Sequence, residues 1–391
     1  MSPIKRTAKP AEKRLSAEEV YELAQEVLQE YFELDMSGSR YEAQDIWDVV
    51  IAAAVERITI ESSCDLLEAA PSPNTVRNAL RPLLSDEGLA VLEDRVNAML
   101  VARLPKKLLD KQLVCAVDFT DIPYHGQHEA DDDLIRRGRA KHGTTHFHSF
   151  GTLCILRHNK RYTVAVTLFK KSEKVQDGLQ RLIERGKRLG LHIKRLYLDR
   201  GFDNNAVVFY LKQQSFPSLI ALAIRGKTGG TRALCRGRQS YQTTYTRQSR
   251  IYEDQTFDVW IVCKYSKGRY RRKGLRYFAY ILIGDLKMSA DQVYQEYRRR
   301  FGIESGYRLM NTMRARTASR SVALRLFFVA VALVLLNLWC YVKWQVLFVT
   351  RRGPRRILHH LLPLARWRLW LWEMVKQRQG FALVIVLPLE V

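Results

Sequence analysis

Cysteine is scarce in this sequence, and the six cysteines are scattered over 391 residues without a Cys-x-x-Cys pair. This pattern argues against a disulfide framework or a cysteine zinc site, and it is typical of buried thiols in a reducing compartment. Five of the nine histidines fall between residues 125 and 148, but their spacing fits no compact zinc ligand set. An apolar signal core is also lacking, so we expect a cytoplasmic protein.

Negative charge is far outnumbered by positive charge outside the first quarter of the chain. Residues 17–99 hold 18 acidic residues against five arginines and no lysine, whereas the whole chain carries a net charge of +24. The middle and C-terminal parts are therefore strongly basic, which indicates a polyanionic partner such as nucleic acid or an anionic membrane. Since 47% of the residues are hydrophobic, the chain can bury a core, and extensive disorder is not expected.

One long hydrophobic run, residues 326–342, raises the question of a membrane span. Its 17 residues lie at the lower edge of a spanning length, it contains Asn337, and arginines stand close to its start. A helix buried in the core of a large globular domain has the same pattern. We favour the core helix and expect no membrane partner, with a membrane span as the alternative.

Residues 17–105 are predicted to form a helical N-terminal domain behind a basic, flexible tail of residues 1–16. The tetrapeptide that starts at Ser16 is a capping signal for an amphipathic helix. A helix, a Pro/Ser turn and a second helix follow later and resemble a helix-turn-helix whose second helix would present Arg77 and Arg81. The acidic balance of the domain argues against tight DNA binding, so a bundle for dimerisation or regulation is an equal alternative.

Residues 106–225 change to an α/β pattern. The apolar run 113–117 is typical of a strand buried on both faces, and a polar loop at about 126–143 follows it. The complete order is strand, strand, strand, helix, strand, helix, strand, with a hairpin turn at residues 158–160. This order predicts a mixed five-stranded sheet that starts with an antiparallel hairpin and continues with parallel crossovers.

Residues 226–285 interrupt this pattern. They are rich in Gly, Tyr, Thr and Arg and contain three strand-like runs, so we predict a β-rich basic insertion that tracks phosphates, with solvated loops as the alternative. Helix returns near Met288 and continues through residues 297–304, and an apolar helix at 322–348 follows. We assign residues 286–349 to a second part of the α/β core. Residues 350–391 are a basic, aromatic C-terminal segment with a helix at 366–376 and an apolar, strand-like end.

Three carboxylates are candidates for a metal site. Asp118 and Asp199 each follow an apolar run where a predicted strand ends, and functional groups collect at such ends in open α/β sheets. Glu304 is the one acidic residue among eight arginines between residues 298 and 325, and a helix packed on the sheet would bring it there. Three converging carboxylates can hold two Mg²⁺ ions for phosphodiester chemistry. Taken singly, a strand-end aspartate is more often a turn or capping residue, and Asp203 is a natural N-cap.

The stretch around Glu304 collects several functional groups on one helix face. Four residues fall within about 60° of one another at about 100° per residue: Tyr297, Arg300, Glu304 and Asn311. The phenol, guanidinium, carboxylate and amide together suit a site that grips phosphate beside a metal ion. A solvated, charged helix face is the alternative.

Four segments of the chain carry a resemblance to a known family. They are DFTDIPYHG, the GTTHFHSF strand, LYLDRGFDN and the Tyr297-x2-Arg300-x3-Glu304 spacing. Together they resemble the DDE transposases of prokaryotic insertion sequences, most closely the insertion-sequence-four superfamily with its archaeal and cyanobacterial relatives, over about residues 110–345. The resemblance implies an RNase H-like catalytic core, interrupted by the β-rich insertion and preceded by the all-α N-terminal domain.

The resemblance also implies a mechanism and its residues. Asp118, Asp199 and Glu304 would be the catalytic, metal-binding triad, with two Mg²⁺ ions per active site that Mn²⁺ can replace. The reaction would be cut-and-paste transposition, in which strands are cleaved at the element's terminal inverted repeats and the 3′-hydroxyl is transferred to target DNA. Because two ends must be brought together, a homodimer on double-stranded DNA is expected, associated with the nucleoid of a prokaryotic cell.

The chain departs from the family at Asn311, where the signature has a lysine. An amide still hydrogen-bonds a phosphate oxygen but brings no charge, which Arg308 and Arg314 could supply. The substitution weakens the expectation of a DNA hairpin step more than it weakens the expectation of strand cleavage. Trp260 is a candidate stacking surface for a flipped base, with a core tryptophan as the alternative. A domesticated or degenerate DNA-binding protein without catalytic activity is the alternative function.

Overall fold

The structure is a computed structural model that describes residues 14–85, 88–127, 132–157, 160–265, 274–349 and 355–384; for residues 157, 160 and 301–304 it describes the backbone alone. The chain divides into two units. The helical unit contains Met1–Leu83, Met313–Thr317 and Leu338–Val391, and the sheet unit contains Leu84–Thr312 and Ala318–Asn337. The domain boundaries drawn from the sequence stay predictions.

The described residues contain twelve α-helices, numbered in chain order. They are α1 (Ala17–Tyr31), α2 (Ala43–Glu56), α3 (Ile60–Leu66), α4 (Pro73–Leu80), α5 (Leu89–Leu100), α6 (Lys106–Leu109), α7 (Val175–Arg188), α8 (Asn205–Gln213), α9 (Ala290–Arg298), α10 (Phe301–Asn311), α11 (Val322–Gln345) and α12 (Leu364–Gln379). The predicted capping box is confirmed, because the Ser16 side chain accepts from the Glu19 amide and the Glu19 side chain from the Ser16 amide.

The same part of the chain contains eleven β-strands. They are β1 (Leu113–Pro123), β2 (Arg136–Lys141), β3 (Thr144–Arg157), β4 (Lys160–Phe169), β5 (Ile193–Leu198), β6 (Ser218–Ala221), β7 (Tyr241–Arg247), β8 (Gln255–Tyr265), β9 (Leu275–Ile283), β10 (Phe348–Val349) and β11 (Arg356–Ile357). Strands β10 and β11 pair in the helical unit. The predicted strand-like end forms no strand over residues 381–384, and residues 385–391 lie outside the described chain.

In the helical unit, the C-terminal helix is tied to the N-terminal helices through one buried carboxylate. Asp48 on α2 is fully buried. It accepts hydrogen bonds from Tyr21 and Gln25 of α1, at 2.6 and 2.7 Å. It also accepts from Arg378 and Gln379 of α12, at 2.9 and 2.8 Å. A buried carboxylate needs such donors to offset its lost hydration, so α1, α2 and α12 form one packed group.

The predicted helix-turn-helix falls on α3 and α4. Arg77 on α4 pairs with Glu61 on α3 and donates to Asn74 at 2.8 Å, while Arg81 opens a short 3₁₀ helix. The pair between Arg77 and Glu61 connects the two helices through exposed, charged side chains. A DNA-reading role and a dimerisation role both stay predictions.

Nine strands of the described sheet unit form one mixed sheet, in the order β2-β3-β1-β5-β6-β9-β8-β7, with β4 also paired to β3. The β1–β5 and β5–β6 pairs are parallel, and the other pairs are antiparallel. The predicted mixed α/β core is confirmed, including the antiparallel start and the parallel crossovers through α7 and α8.

Two details of the predicted sheet are wrong. The polar loop at 126–143 contains β2, a basic strand that pairs with the first half of β3. The sheet also has more than five strands, because β9 pairs with β6, from Ser218 opposite Ile283 to Ala221 opposite Tyr280, so the predicted insertion continues the same sheet. The predicted turn at residues 158–160 lies largely outside the described residues.

The predicted helix through Glu304 is divided by a tight turn at Arg299 and Arg300. Both residues keep right-handed helical dihedrals, but their amides bond to carbonyls three residues back instead of four. Tyr297 therefore lies on α9 and Glu304 on α10. The four-residue face drawn on a single helix is wrong at this point.

Helix α11 contains the hydrophobic run and explains its one amide. It is long and apolar enough to cross a membrane, but 89% of its most apolar window is buried, as in the core helix of a globular protein. The pairing of β3 and β4 is irregular at Thr163, whose amide donates to Asn337 at 3.1 Å and whose carbonyl accepts from Asn337 at 2.8 Å. Asn337 thus completes a strand edge, which supports the core interpretation.

The same edge of β4 is covered by α5. Asn97 accepts from the Val166 amide at 2.7 Å and donates to the Val166 carbonyl at 2.9 Å. Glu93 accepts from the Leu168 amide at 3.0 Å and from Thr167 at 2.8 Å. These side chains replace a neighbouring strand, so the edge of the sheet is closed to further strand pairing.

Candidate active site

Asp118 lies in the middle of β1, and the prediction that it ends a strand is wrong. β1 continues to Pro123 because its second half pairs with the first half of β3. The parallel partner β5 stops earlier, and Val117 opposite Leu198 is the last pair. Asp118 and Asp199 both come directly after this pair, so they lie side by side where the parallel pairing ends.

A buried arginine holds the Asp118 carboxylate. Nη1 of Arg300 lies 2.7 Å from Oδ2 of Asp118, and the two residues are 5% and 7% exposed. Burial raises the pKa of Asp118 to about 6; the charge of Arg300 opposes this rise, and the charge of Asp199 adds to it. The two aspartates are therefore close enough to interact electrostatically, which is the arrangement that a bound cation stabilises.

Asp199 is held by a short 3₁₀ helix that follows it. Its Oδ1 accepts from the Gly201 amide at 2.8 Å and caps the helix Arg200–Phe202. The ring of Phe202 stacks on that of Phe119, the residue after Asp118, with centroids 4.5 Å apart and an interplanar angle of 8°. This stack fixes the backbone after one aspartate against the backbone after the other.

Tyr297 packs against the strand end that carries Asp199. Its hydroxyl donates to the carbonyl of Leu198 at 3.2 Å, and its ring centroid lies 4.8 Å from that of Tyr280. Burial raises the pKa of Tyr297 to about 12, so the phenol is neutral. Tyr297 is 5% exposed. The structure thus brings Tyr297 and Arg300 to the aspartates as buried residues, and their DNA contacts stay predictions.

Glu304 has its backbone in the first half of α10, and its side chain lies outside the described structure. Among the side chains that the structure describes, no group of three or more metal-ligating residues occurs. Asp118 and Asp199 are therefore the described part of the candidate metal site. The third ligand stays a prediction.

Tyr307 is a site residue that the sequence analysis missed. Its hydroxyl lies 2.8 Å from the carbonyl oxygen of Asp118 and 2.6 Å from Oγ1 of Thr152, the residue opposite Asp118 in β3. Burial and the charge of Asp118 raise the pKa of this phenol well above its usual value. Its position three residues after Glu304, on the same helix face, is the signal that could have identified it.

Comparisons with known proteins assign the sequence to a family. The sequence model of the family described as the transposase DDE domain matches residues 110–340, more than half of the chain. The chain belongs to this family. No curated protein matches the chain.

Among solved structures, this chain is similar to a piggyBac transposase, which was determined by cryo-EM as a synaptic complex with hairpin DNA. The TM-score is 0.53 at 10% identity, and the match covers 94% of this chain and 80% of that chain. At this identity the likeness concerns the fold. It agrees with the mixed sheet and its flanking helices, and the RNase H-like core of the transposase is confirmed.

The remaining predicted DNA contacts of the transposase lie at different depths. Arg308 and Asn311 are exposed near the end of α10, three residues apart and so on one face. Arg314 is half-buried in the segment Met313–Thr317 of the helical unit. These positions leave Arg308 and Asn311 accessible to a phosphate backbone.

Trp260 is partly buried on β8, opposite Tyr280 of β9. It packs against the buried cluster that contains Tyr280 and Tyr297. Its indole N–H is buried and has no hydrogen-bond partner among the described residues. Packing of this kind is expected of a core tryptophan, and its predicted stacking on a DNA base stays a prediction.

Two neighbouring aspartates have separate, structural partners. Asp121 accepts from Ser149 at 2.8 Å and pairs with Lys141 at 3.1 Å. Asp203 is buried, pairs with Arg247 and accepts from the Ala223 amide at 2.8 Å. The expectation that Asp203 caps a helix is wrong, because the Asn204 side chain accepts from the Val207 amide at the start of α8.

Proposed function

We propose that the chain is the transposase of a prokaryotic insertion sequence of the insertion-sequence-four superfamily. It would act in the cytoplasm, bind the terminal inverted repeats of its element, cleave them and join them to target DNA. The observation that carries the proposal is the side-by-side placement of Asp118 and Asp199 after the last parallel pair, within a chain that belongs to the DDE transposases. The four-segment resemblance supports the narrower assignment.

The proposed metal ligands are Asp118, Asp199 and Glu304. The donor set fits Mg²⁺, or Mn²⁺ in its place, because hard cations prefer carboxylate oxygens and because the charges of two adjacent aspartates need a counter-charge. Two bound ions would activate the attacking oxygen and stabilise the leaving oxygen of a phosphodiester. Glu304 enters this set from the family spacing, on the helix that Tyr307 connects to β1.

The chain's own residues hold the aspartates in place. Arg300 orients the Asp118 carboxylate, the Asp199 carboxylate is fixed by the Gly201 amide, and Tyr297 supports the backbone at Leu198. Such support matters because catalytic groups act only when they are held within a fraction of an ångström of their working positions. The buried ring packing around the aspartates limits the freedom of the carboxylates.

The proposed reaction has two steps that balance. Water attacks the phosphorus at an element end, the P–O3′ bond breaks, and the element strand keeps a free 3′-hydroxyl while the flank keeps the 5′-phosphate. The 3′-hydroxyl then attacks a phosphorus of target DNA, a new P–O bond forms, and the target strand releases its own 3′-hydroxyl. One phosphodiester replaces another in the second step, so no energy source is required.

The proposed DNA interface includes Arg308, Asn311 and Arg314, with Trp260 as a base-stacking surface. Arg308 and Asn311 support this proposal by their exposure on one face of α10. The net charge of +24 supplies the general attraction for phosphates. A homodimer would hold the two ends together. With Asn311 in place of the family lysine, cleavage without a hairpin is the simpler route.

A cleavage and strand-transfer assay tests the function. The substrates are duplexes made from the DNA that flanks the gene on each side, with a supercoiled plasmid as target and Mg²⁺ or Mn²⁺ added. We expect cleavage and joined products from the wild type, and none from Asp118→Ala, Asp199→Ala or Glu304→Ala. Each variant should still bind the end duplex, since the carboxylates repel phosphate.

The same assay separates the alternative function. A degenerate DNA-binding protein would shift the end duplex in a gel but release no cleaved strand with either metal. Asn311 is the observation that favours this alternative, because it removes a charge from the family signature. Asn311→Lys is the matched variant: a gain of end binding with unchanged cleavage would assign the position to DNA contact alone.

A further inference from the structure

We infer that Tyr307 is a positioning residue, which sets the distance between the helix that carries Glu304 and the strand that carries Asp118. The inference rests on the proposed function, because it concerns the same metal site. Tyr307 lies outside the Tyr297-x2-Arg300-x3-Glu304 spacing, and we assign it to the site because of the groups that it contacts.

The hydrogen bonds of Tyr307 have only one consistent direction. A carbonyl oxygen can only accept, so the phenol donates its hydrogen to the Asp118 carbonyl at 2.8 Å. The Thr152 hydroxyl, 2.6 Å away, must then donate to the phenol oxygen. Thr152 is fully buried and lies opposite Asp118 in the pairing of β1 and β3. The phenol is therefore fixed to two strands at the level of Asp118.

The hydrogen bond from Tyr307 to the main chain of Asp118 does not involve the carboxylate. Tyr307 binds the carbonyl, whereas the side chain of Asp118 faces Arg300 and senses the charge of Asp199. The parallel pairing of β1 with β5 ends one residue earlier, at Val117. Tyr307 thus supplies a donor directly beyond the point where that ladder stops, and it does so without competing for a metal ligand.

The spacing on α10 gives this contact its consequence. Tyr307 follows Glu304 by three residues, and positions three apart lie on one face of an α-helix. A slide or tilt of α10 on β1 would move Glu304 relative to Asp118. The two hydrogen bonds of Tyr307 oppose that movement, because both lengthen when the helix shifts. A phenylalanine would fill the same space without this restraint.

The test is Mn²⁺ binding to the full-length chain, followed by electron paramagnetic resonance. Tyr307→Phe should weaken Mn²⁺ binding about tenfold, the size of effect that loss of a ligand-supporting hydrogen bond has in metal sites. Tyr124→Phe is the matched control, because its hydroxyl donates to one carbonyl, that of Gln127 at 2.8 Å, and it contacts none of the proposed ligands. The control should bind Mn²⁺ within about twofold of the wild type.

Thr152→Val provides a second, milder variant. It keeps the shape of the side chain and the bond from Tyr307 to Asp118, and removes the hydroxyl that orients the phenol. We expect Mn²⁺ binding between that of the wild type and that of Tyr307→Phe. In the cleavage assay, both variants should need more Mg²⁺ for half-maximal rate while end-duplex binding without metal is unchanged.

The outcomes separate this inference from the proposed function. Equal Mn²⁺ binding by Tyr307→Phe and Tyr124→Phe, in a wild type that loses Mn²⁺ when Asp118→Asn is introduced, overturns the positioning role and leaves the metal site intact. Equal Mn²⁺ binding by the wild type and Asp118→Asn overturns the metal site, and the positioning role with it. Should Tyr307→Phe fail to fold, unchanged binding by Thr152→Val overturns the role.

Discussion

Arg300 and Asp118 form a buried ion pair between residues 182 positions apart in the sequence, with 2.7 Å between Nη1 and Oδ2. The pair connects the turn before α10 to the centre of β1. Two groups that are hydrated in the unfolded chain lose their water here, so each depends on the other for compensation.

Loss of either partner should therefore destabilise the protein, and loss of both should cost less than the sum of the two single losses. Arg300→Met leaves a buried carboxylate and should lower the free energy of unfolding by about 3 kcal/mol. Combined with Asp118→Asn, the loss should be smaller than the sum of the two single effects by more than about 1 kcal/mol. Urea unfolding of the four proteins, without metal, measures this coupling. Additive effects would show that the two side chains act independently.

Asn337 should stabilise the protein although it interrupts an apolar helix. Asn337→Leu lengthens the hydrophobic run but leaves the amide and carbonyl of Thr163 without their partner, and each buried group costs about 1–3 kcal/mol. We expect lower stability in urea unfolding and unchanged recovery without detergent. Asn97→Leu, which unpairs Val166 in the same way, is the matched variant. A leucine that leaves stability unchanged would contradict the pairing.

Gly178 should not tolerate a side chain. A Cβ at this position of α7 would lie 2.2 Å from two ring atoms of Phe169, whose ring packs edge-on against Phe119 at 4.5 Å. Gly178→Ala should therefore cost about 1–3 kcal/mol and slow cleavage, because the displaced ring disturbs the residue after Asp118. Thermal unfolding and the cleavage rate check this. Unchanged values would show that Phe169 moves without cost.

Gly306 provides the matched substitution in a helix with open space. Among the atoms that the structure describes, nothing lies within 4 Å of a Cβ added there in α10. Gly306→Ala should raise the free energy of unfolding by about 0.5–1 kcal/mol, since alanine has the higher helix propensity and the less flexible unfolded chain. The same thermal unfolding experiment measures it. A loss of stability would mean that this face of α10 is packed.

Lys343 should make stability depend on pH above neutrality. Burial lowers its pKa from 10.5 to about 8, although the ammonium lies over the Trp339 ring at 3.1 Å. Below about pH 8, Lys343 is charged in both the folded and the unfolded chain, and burial of this charge destabilises the folded chain. As the pH rises from about 8 towards 10.5, the buried amine loses its proton and the destabilisation is relieved. Lys343→Met should be more stable than the wild type by up to about 3 kcal/mol at neutral pH.

The difference between these two proteins should shrink when unfolding is measured at about pH 9.5 instead of about pH 7. Other groups that titrate in this range are common to both proteins and cancel in the difference. A gap that grows with pH would contradict the direction of the pKa change.

The sequence predicted those parts of the fold that depend on local pattern. Alternating and continuous apolar runs located β7, β8 and β9, and the capping signal at Ser16 located the start of α1. The apolar run of β5 located Asp199 at a strand end. The placement of Asp118 was wrong because β1 continues in a polar stretch, where its partner is the distant first half of β3.

Long-range partners could not be predicted in this way. The pairing of β9 with β6, which merges the insertion with the core sheet, depends on strands about 60 residues apart, and no local pattern specifies it. The turn at Arg299 and Arg300 keeps helical dihedrals and contains no glycine or proline, so it left no signal. The roles of Asn337 and Tyr307 became visible only through the groups they contact.

The most direct test of the account is metal rescue of cysteine variants in the cleavage assay. Asp118→Cys, Asp199→Cys and Glu304→Cys each replace a hard oxygen ligand by a soft sulfur, which Mn²⁺ accepts more readily than Mg²⁺ does. Asp203→Cys is the control, because Asp203 is buried against Arg247 and the Ala223 amide. The account predicts three variants that are inactive with Mg²⁺ and cleave DNA with Mn²⁺, and a control whose activity does not depend on this exchange. A Glu304→Cys variant that Mn²⁺ fails to rescue, beside rescued aspartate variants, would contradict the triad.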